Sequence, residues 1–184
     1  MESASTARVV AVAKHDRHRL AKDVQTVISL ATGLGVEGDV HAGVLIQHAA
    51  RVLKDPTQPN LRQVHLLPAE LLEQFAREGI DVSPGEMGEN VLTRGIDLLA
   101  LPTGARLRLG EHAGVRVTGL RNPCRQLDAV APSLLGKVLT RSDTGEFVRL
   151  AGIMSVVQRS GKVRPGDLIR LTLPDPPFMR LSPV

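Results

Sequence analysis

The stretch "LPTGARLRLG" at residues 101–110 places a proline and a glycine directly before residues that alternate between apolar and polar. Such alternation is typical of a strand buried on one face, and a turn containing proline and glycine often precedes it. The same pattern returns in "VRPGDLIRLTL" at residues 163–173. Between them, "VRVTGL" at residues 115–120 follows the turn "GEHAG" and is predicted to pair with "RLRL". These segments predict a fold built on antiparallel strands.

Outside this hairpin the sequence predicts several more short strands and only two helices. Leu71, Leu72 and Phe75 share one face of a helix over residues 68–79, which begins at a proline and ends at a glycine. A second helix is predicted over residues 133–141, with Ser133 as its N-cap. Further strands are predicted over residues 7–13, 24–31, 63–67 and 147–158. Because a doubly wound sheet needs more helices, we expect a mainly β fold (β-rich α+β), a closed or rolled barrel of short strands with about two peripheral helices.

The length and hydropathy of the chain set its domain organisation. A chain of 184 residues fits one domain, so residues 1–184 are expected to form a single unit with an irregular tail at 174–184. No apolar run approaches the roughly 18 residues of a membrane span, and residues 1–20 lack the apolar core of a signal peptide. We therefore expect a cytoplasmic protein with no membrane partner.

Charge and aromatic content indicate the class of ligand. The formal net charge of +4 favours an anionic partner. Nucleic-acid sites usually add aromatic side chains that stack on bases, and this chain has three Phe and neither Tyr nor Trp. A small phosphate-bearing molecule is therefore expected in preference to a nucleic acid. The single cysteine excludes an intrachain disulfide and a metal site with several thiolates.

The glycine-rich segment "GLGVEGDVHAG" at residues 33–43 matches G-x-G-x-x-G and has three interpretations. A dinucleotide-binding turn would need a helix opening at the third glycine, but Gly43 falls inside that supposed helix. The segment could instead be a structural loop, or a loop that displays Asp39 and His41 toward a ligand. A zinc site of His41 and His48 lacks a third clustered ligand.

Two more segments carry residue types that can do chemistry. In "PGEMGEN" at residues 84–90, Glu89 and Asn90 either cap a strand or offer a carboxylate and an amide to a ligand. In "GLRNPCRQLD" at residues 119–128, Cys124 is either a small buried apolar residue or a thiol that the nearby Arg121 and Arg125 favour as thiolate. Such a thiolate serves as a nucleophile, a persulfide carrier or a soft metal ligand. A Cys-His hydrolase is a rival interpretation, with a base among His41, His65 and His112.

Taken in order, these segments resemble the MOSC domain, a family named for the C-terminal domain of molybdenum-cofactor sulfurase. The resemblance covers most of residues 33–171. It is carried by "GVEGDVHAG", "RQVHLLPAELL", "PGEMGENVLTRGIDLLALPTGARLRLG", "VTGLRNPCRQLD" and "VRPGDLIRL".

The resemblance implies a β-rich, barrel-like fold whose motif cysteine ligates molybdenum in a pterin cofactor or handles sulfur. It makes Cys124 the expected molybdenum ligand. No pyridoxal phosphate is expected, because the large domain that carries it in the sulfurase has no room in this chain. The expected catalytic residues are Cys124, Arg121, Asn90 and Glu89, and the expected cofactor-binding residues are Gly38, Asp39, His41, Gly88 and Arg125.

Three functions follow as hypotheses. The first is a molybdenum-cofactor-binding oxidoreductase that reduces small N-hydroxylated substrates with electrons from a separate donor protein. The second is a sulfur carrier that receives sulfur from a donor protein and holds it as a Cys124 persulfide. The third is a basic β-barrel binding module without catalysis.

Overall fold

The structure is a computed structural model that describes residues 7–184, with the backbone alone for Ala49 and Ala50. Residues 1–6 of the expected single domain lie outside the described part. That part contains thirteen strands, three α-helices and one 3-10 helix. The strands are β1 (Arg8–Lys14), β2 (Asp23–Gln25), β3 (Ile28–Ala31), β4 (Gly35–Val36), β5 (Val64–Pro68), β6 (Val91–Arg94), β7 (Arg106–Leu109), β8 (Ala113–Leu120), β9 (Leu139–Arg141), β10 (Phe147–Arg149), β11 (Ile153–Arg159), β12 (Gly161–Val163) and β13 (Ile169–Thr172). The helices are α1 (Ala49–Val52), α2 (Ala69–Arg77), α3 (Leu134–Val138) and the 3-10 helix Arg125–Ala129.

Eight strands form one sheet in the order β13-β7-β8-β11-β5-β6-β1-β2. Its neighbours are antiparallel except for β5 and β6, which are parallel and are connected through α2. The predicted hairpin is present, because Leu107 pairs with Val115 and Leu109 pairs with Ala113. Strands β12, β3 and β4 form a second sheet, and β9 and β10 form a separate hairpin.

The large sheet rolls so that the start of β13 approaches β1. The backbone N–H of Val9 donates to the carbonyl of Asp167 at 2.8 Å, and that of Ile169 donates to Ala7 at 2.8 Å. Only a single bridge, Arg8 with Leu168, joins the two sides, so within residues 7–184 no sheet closes into a barrel. The mainly β architecture is confirmed, whereas the predicted closed barrel is not.

Two apolar clusters pack against opposite sides of the large sheet, and the second covers only the strands β1, β5 and β6. The alternating residues Leu107, Leu109 and Val115 point into the first cluster, as their spacing predicts. The buried face of α2 enters the second cluster and packs against Leu67 and Leu92 of the sheet. The helix predicted from Leu71, Leu72 and Phe75 is therefore present, and Gly79 directly beyond it has the positive φ of 78° that favours glycine.

Three predicted elements were wrong in extent. The second helix ends at Val138, because Leu139–Arg141 instead pairs with Phe147–Arg149. Ser133 has a left-handed φ of 64° and its side chain makes no cap hydrogen bond. The predicted strands 24–31 and 147–158 each divide in two, because the halves join different sheets.

The break at Gly152 has a local cause. This residue has a φ of 82°, and a Cβ there would lie 2.2 Å from the carbonyl oxygen of Leu66. Only glycine fits this approach of two backbones. Among the described residues, no helix is long and apolar enough to cross a membrane.

Candidate functional site

A pocket of about 90 Å³ forms where the carboxyl end of β8 meets loops from distant parts of the chain. Arg121 directly follows β8, His41 comes from the glycine-rich loop, and Asn90 directly precedes β6. The pocket therefore unites side chains from the three sequence segments considered above. The lining residues are Arg19, Leu20, Lys22, His41, His48, Arg62, His65, Gly88, Asn90, Arg121, Asn122, Cys124, Gln126 and Met154.

Cys124 lies at the pocket and is exposed to solvent. The chain leaves β8 at Arg121, whose N–H donates to the carbonyl of Gly152 at 3.0 Å, and then turns through Pro123. Cys124 occupies the position before the 3-10 helix Arg125–Ala129, and its Sγ lies 3.7 Å from Oε1 of Gln126. An exposed sulfur in a pocket is available to a ligand, unlike a cysteine packed in a core.

Arg121 places a buried positive charge in this pocket. Only 6% of the residue is exposed, and within the described part of the chain its Nη1 has no hydrogen-bond partner. Burial lowers the pKa of Arg121, while the charges of Cys124 and Glu89 act in the opposite direction. A guanidinium remains charged under these conditions, so this buried donor is suited to bind an anion or another hydrogen-bond acceptor.

Asp39 organises the charges behind the pocket. Its carboxylate accepts hydrogen bonds from Nζ of Lys22 at 2.6 Å, Nδ2 of Asn90 at 3.0 Å and the backbone N–H of His41 at 2.9 Å. Burial alone would raise the pKa of Asp39, but the hydrogen bonds from His41 and the charge of Lys22 outweigh it and lower the pKa well below its usual range. Burial lowers the pKa of Lys22, and the ionised Asp39 opposes that change. The pair is therefore a buried ion pair with well-satisfied hydrogen bonds.

Two of these contacts fix the pocket wall. The Nδ1 atom of His41 lies 3.3 Å from Oδ1 of Asp39, which sets the orientation of the ring. The amide of Asn90 donates to the carbonyl of Ala13 at 3.1 Å and accepts from the backbone N–H of His65 at 3.1 Å. Both amide hydrogens of Asn90 are thus used within the protein, so Asn90 joins β1, β5 and the glycine-rich loop.

Glu89 lies behind the pocket instead of lining it. Only 1% of the residue is exposed, and Oε1 accepts a hydrogen bond from the backbone N–H of Gly85. Within the described residues Oε2 has no partner. Burial raises the pKa of Glu89 to about 7, against the opposing effects of the Gly85 hydrogen bond and Arg121. This carboxyl group therefore changes its protonation near neutral pH.

Arg62 adds a cation to the pocket lining, and His48 adds an imidazole ring. Burial, followed by the charges of Arg51 and Arg121, lowers the pKa of Arg62 to about 10, so Arg62 stays protonated at neutral pH. Burial and the neighbouring Arg62 lower the pKa of His48. His65 is fully enclosed, and burial lowers its pKa well below the usual value. Its Nε2 lies 2.7 Å from the carbonyl of Ala151, so a neutral ring donates there.

The model of the MOSC domain family matches residues 37–170. The chain belongs to the MOSC domain family. The resemblance stated from the motifs is thus confirmed, and the family is associated with the molybdenum cofactor. No curated protein matches this MOSC chain at a significant level.

Solved structures share the fold of this MOSC domain. The YuaD protein from Bacillus subtilis has a TM-score of 0.74 and 22% sequence identity, over 92% of this chain and 97% of that one. YiiM from Geobacillus stearothermophilus has a TM-score of 0.62 and 18% identity, over 90% of this chain and 75% of that one. YiiM from Escherichia coli has a TM-score of 0.58 and 22% identity, over 94% and 73%. At these identities the likeness establishes the fold.

The MOSC pocket contains some of the predicted site residues and excludes others. Cys124, Arg121, Asn90, His41 and Gly88 line it. Asp39 and Glu89 lie behind it, whereas Gly38 and Arg125 are exposed and do not line it. Gly88 has a φ of 83°, and a Cβ there would lie 2.9 Å from the carbonyl oxygen of Leu20. That wall of the pocket therefore requires glycine.

The same geometry bears on the other interpretations of the motifs. No helix begins at Gly38, so the glycine-rich segment is not a dinucleotide-binding turn. His112 lies in the turn between β7 and β8, outside the pocket, whereas the candidate bases His41 and His65 line the pocket together with Cys124. The described residues contain no group of three or more side chains that could hold a metal ion as His, Cys, Asp and Glu ligands.

Lys22 and Arg62 are pocket residues that the sequence reasoning missed. Lys22 stands in "LAKDV", which reads as an ordinary charged loop, and only its pairing with Asp39 explains its burial. Arg62 precedes a predicted strand and is the first residue of the quoted "RQVHLLPAELL". The family motif could therefore have pointed to Arg62 as a pocket residue, whereas the charge pattern could not.

Proposed function

We propose that this MOSC protein binds a molybdenum-pterin cofactor at Cys124 and reduces N-hydroxylated small molecules. One observation carries the proposal: a buried guanidinium donor of Arg121 that has no hydrogen-bond partner among residues 7–184 lies in the same pocket as the exposed thiol of Cys124. A single soft thiolate and a cationic wall suit an anionic, oxo-rich metal centre that brings its remaining ligands with it. The absence of a multi-residue metal cluster among the described residues agrees with a metal held mainly by its own cofactor.

The residues of the pocket divide the binding between them. Sγ of Cys124 would ligate the metal, and the guanidinium groups of Arg121 and Arg62 would offset the negative charge. When bound, the cofactor supplies the two-electron redox centre. The Lys22–Asp39 pair and Asn90 hold His41 at the wall, so the protein orients the ligand through a rigid, hydrogen-bonded frame.

The overall reaction converts R–NHOH into R–NH₂ and water. The N–O bond breaks, two electrons come from a separate electron-carrier protein, and two protons are taken up. His41 is the proposed proton donor, because it lines the pocket and its Nδ1 lies against Asp39, which leaves Nε2 without that contact. Glu89, buried behind Arg121, changes the net charge of this region near neutral pH without touching the substrate.

The reductase function is tested with a chemical electron source. The cofactor-loaded protein is mixed with reduced methyl viologen and an N-hydroxylated purine, and amine formation is followed by chromatography. Wild type is expected to form the amine, and Cys124→Ser is expected to lose at least about 100-fold in rate, as expected when an essential metal ligand is removed. Arg106→Gln, which changes an exposed residue that does not line the pocket, is the control and should keep the wild-type rate. Equal rates for wild type and Cys124→Ser would contradict the proposal.

A sulfur carrier is the second candidate, and the exposure of Cys124 favours it. A persulfide must be reached by a donor and then by an acceptor, and the sulfur of Cys124 opens to solvent. Incubation with a sulfur donor protein followed by intact-mass measurement tests this candidate. Sulfur carriage predicts an adduct of about 32 Da that is absent from Cys124→Ala. An unmodified mass would exclude it under those conditions.

A further inference from the structure

The outer face of the large sheet carries a group of arginines that the pocket does not use. Arg108 pairs with Arg170 across β7 and β13, and Arg106 pairs with Arg116 across β7 and β8. Arg159 faces Gly114, the residue on β8 that also faces Arg108. Since facing residues in a sheet point to the same side, all five guanidinium groups project from one face, here named the arginine face.

The arginines of this face lack ion-pair partners among residues 7–184. In the described part of the chain, none of its five arginines forms a salt bridge or a side-chain hydrogen bond within the protein. The five arginines lie in two rows of facing residues that cross β13, β7, β8 and β11. The remaining positions of these two rows are Thr172, Gly114 and Val156, so the rows contain no carboxylate. Like charges placed directly opposite each other destabilise a sheet. An external anion bound between two such pairs would relieve this repulsion.

We propose that the arginine face binds the phosphate backbone of duplex nucleic acid, independently of the Cys124 pocket. All five cations are arginines, whose planar groups can bind phosphate with two parallel hydrogen bonds. The face spans four strands, β13 to β11, or about 14 Å at the usual strand spacing. One strand of a duplex presents a phosphate about every 3.4 Å along the axis, so about four phosphates fall within this width.

The residues between the arginines favour a nucleic-acid duplex over other phosphate-bearing partners. A single strand would gain most from aromatic side chains that stack on its bases, and the three Phe of the chain, Phe75, Phe147 and Phe178, lie on none of these strand positions. A lipid surface is usually bound by cations together with large apolar side chains that insert, and the rows offer only a threonine, a glycine and a valine. Phosphate contacts alone suffice for a duplex.

The arginine face and the pocket lie at different parts of β8. Arg116 lies within the strand, and the pocket begins at Arg121 beyond its end. Replacing Cys124 should therefore leave nucleic-acid binding unchanged. The expected binding is independent of sequence, because a flat sheet face reaches phosphates and not base edges.

The test measures binding of a labelled DNA duplex of about 20 base pairs by fluorescence anisotropy between about 50 and 200 mM salt. Wild type is expected to bind with a slope of log K against log salt near −4, from about four or five phosphate contacts. The double variant Arg106→Gln with Arg108→Gln should bind more weakly and reduce the slope by about 2. Arg77→Gln with Arg180→Gln removes the same charge elsewhere and is the matched control. Because all four arginines are exposed, folding is checked by urea unfolding of each variant.

Three outcomes would overturn the proposal. The first is no duplex binding by wild type at about 50 mM salt. The second is an equal loss of duplex affinity in both double variants, which would show that binding depends on the net charge of the protein and not on this face. The third is arginine-dependent binding to vesicles of phosphatidylglycerol and phosphatidylcholine without binding to the duplex. A slope change confined to the Arg106 and Arg108 variant, with Cys124→Ser behaving as wild type, supports it.

Discussion

Arg116 and Arg121 lie five residues apart in the chain, but Arg116 is on the solvent-facing side of the sheet and Arg121 is buried. Arg116 lies on the outer face of β8 opposite Arg106, where solvent screens both charges. Arg121 follows the end of β8 and is buried beside Glu89 and the Lys22–Asp39 pair. A buried charge is costly unless it is paired or hydrogen-bonded, whereas an exposed charge is hydrated by solvent. The pocket should therefore respond strongly to single substitutions, and the arginine face only slightly.

The largest effect is expected from Asp39→Ala, which removes the partner of the buried Lys22. Their side chains are 0% and 4% exposed, respectively. Leaving one member of a buried pair uncompensated is expected to lower the free energy of unfolding by about 3–5 kcal/mol. Urea unfolding measures it, and Asp143→Ala, in an exposed loop, should change stability by less than about 0.5 kcal/mol. Equal small changes in both variants would show that the charges behind the pocket are not structurally coupled.

A smaller, pH-dependent effect is expected from Glu89→Gln. The folded pKa of about 7 lies above the ordinary 4.5, so the folded state holds this proton more tightly and the resulting stability is present below pH 4.5. This stability is lost as pH rises through about 7. The free energy of unfolding of wild type should therefore fall by about 3 kcal/mol relative to that of Glu89→Gln across this range.

The stability of wild type is compared with that of Glu89→Gln because His65, which both proteins contain, makes stability depend on pH in the opposite direction. Its lowered pKa gives stability above pH 6.5 that is lost as pH falls. Unfolding free energies of wild type and Glu89→Gln from pH 4 to 8 measure the effect of Glu89 alone, with the exposed Glu146→Gln as control. Parallel pH profiles for all three proteins would contradict a raised pKa of Glu89.

The smallest effect is expected on the arginine face and has the opposite sign. Arg116→Thr removes one charge from the facing pair Arg106–Arg116 and places a residue that favours strands. Stability should rise by about 0.2–1 kcal/mol. Arg116→Lys keeps the charge and should give no such gain. Thermal unfolding at low salt compares the two, and a loss of stability in Arg116→Thr would mean that the arginine has an internal partner.

Local pattern predicted those parts of the fold that depend on neighbouring residues. The alternation in "RLRL" places Leu107 and Leu109 inside because the period of a strand is two, and the spacing of Leu71, Leu72 and Phe75 defines the buried face of α2. The parallel pairing of β5 with β6 and the incomplete return of β13 to β1 depend on contacts between distant segments. No local pattern encodes them, so the predicted barrel closure exceeded what the sequence supports.

The candidate site divides in the same way. The family motifs pointed to Cys124, Arg121, Asn90 and His41, and the fold brings all four to one pocket, although their roles remain predictions. Lys22 was not found, because its burial depends on Asp39, 17 residues further along the chain, and no spacing rule links them. Glu89 looked like a ligand-facing carboxylate, but the tight turn at Gly85 directs it inward.

Molybdenum content per chain tests the central claim most directly. Wild type, Cys124→Ser and the exposed control Arg106→Gln are produced with the same supply of molybdenum cofactor and measured by elemental mass spectrometry. The account predicts close to one molybdenum per chain for wild type and Arg106→Gln, and a loss of at least about tenfold for Cys124→Ser. Wild type without metal, or Cys124→Ser with full metal, would contradict it.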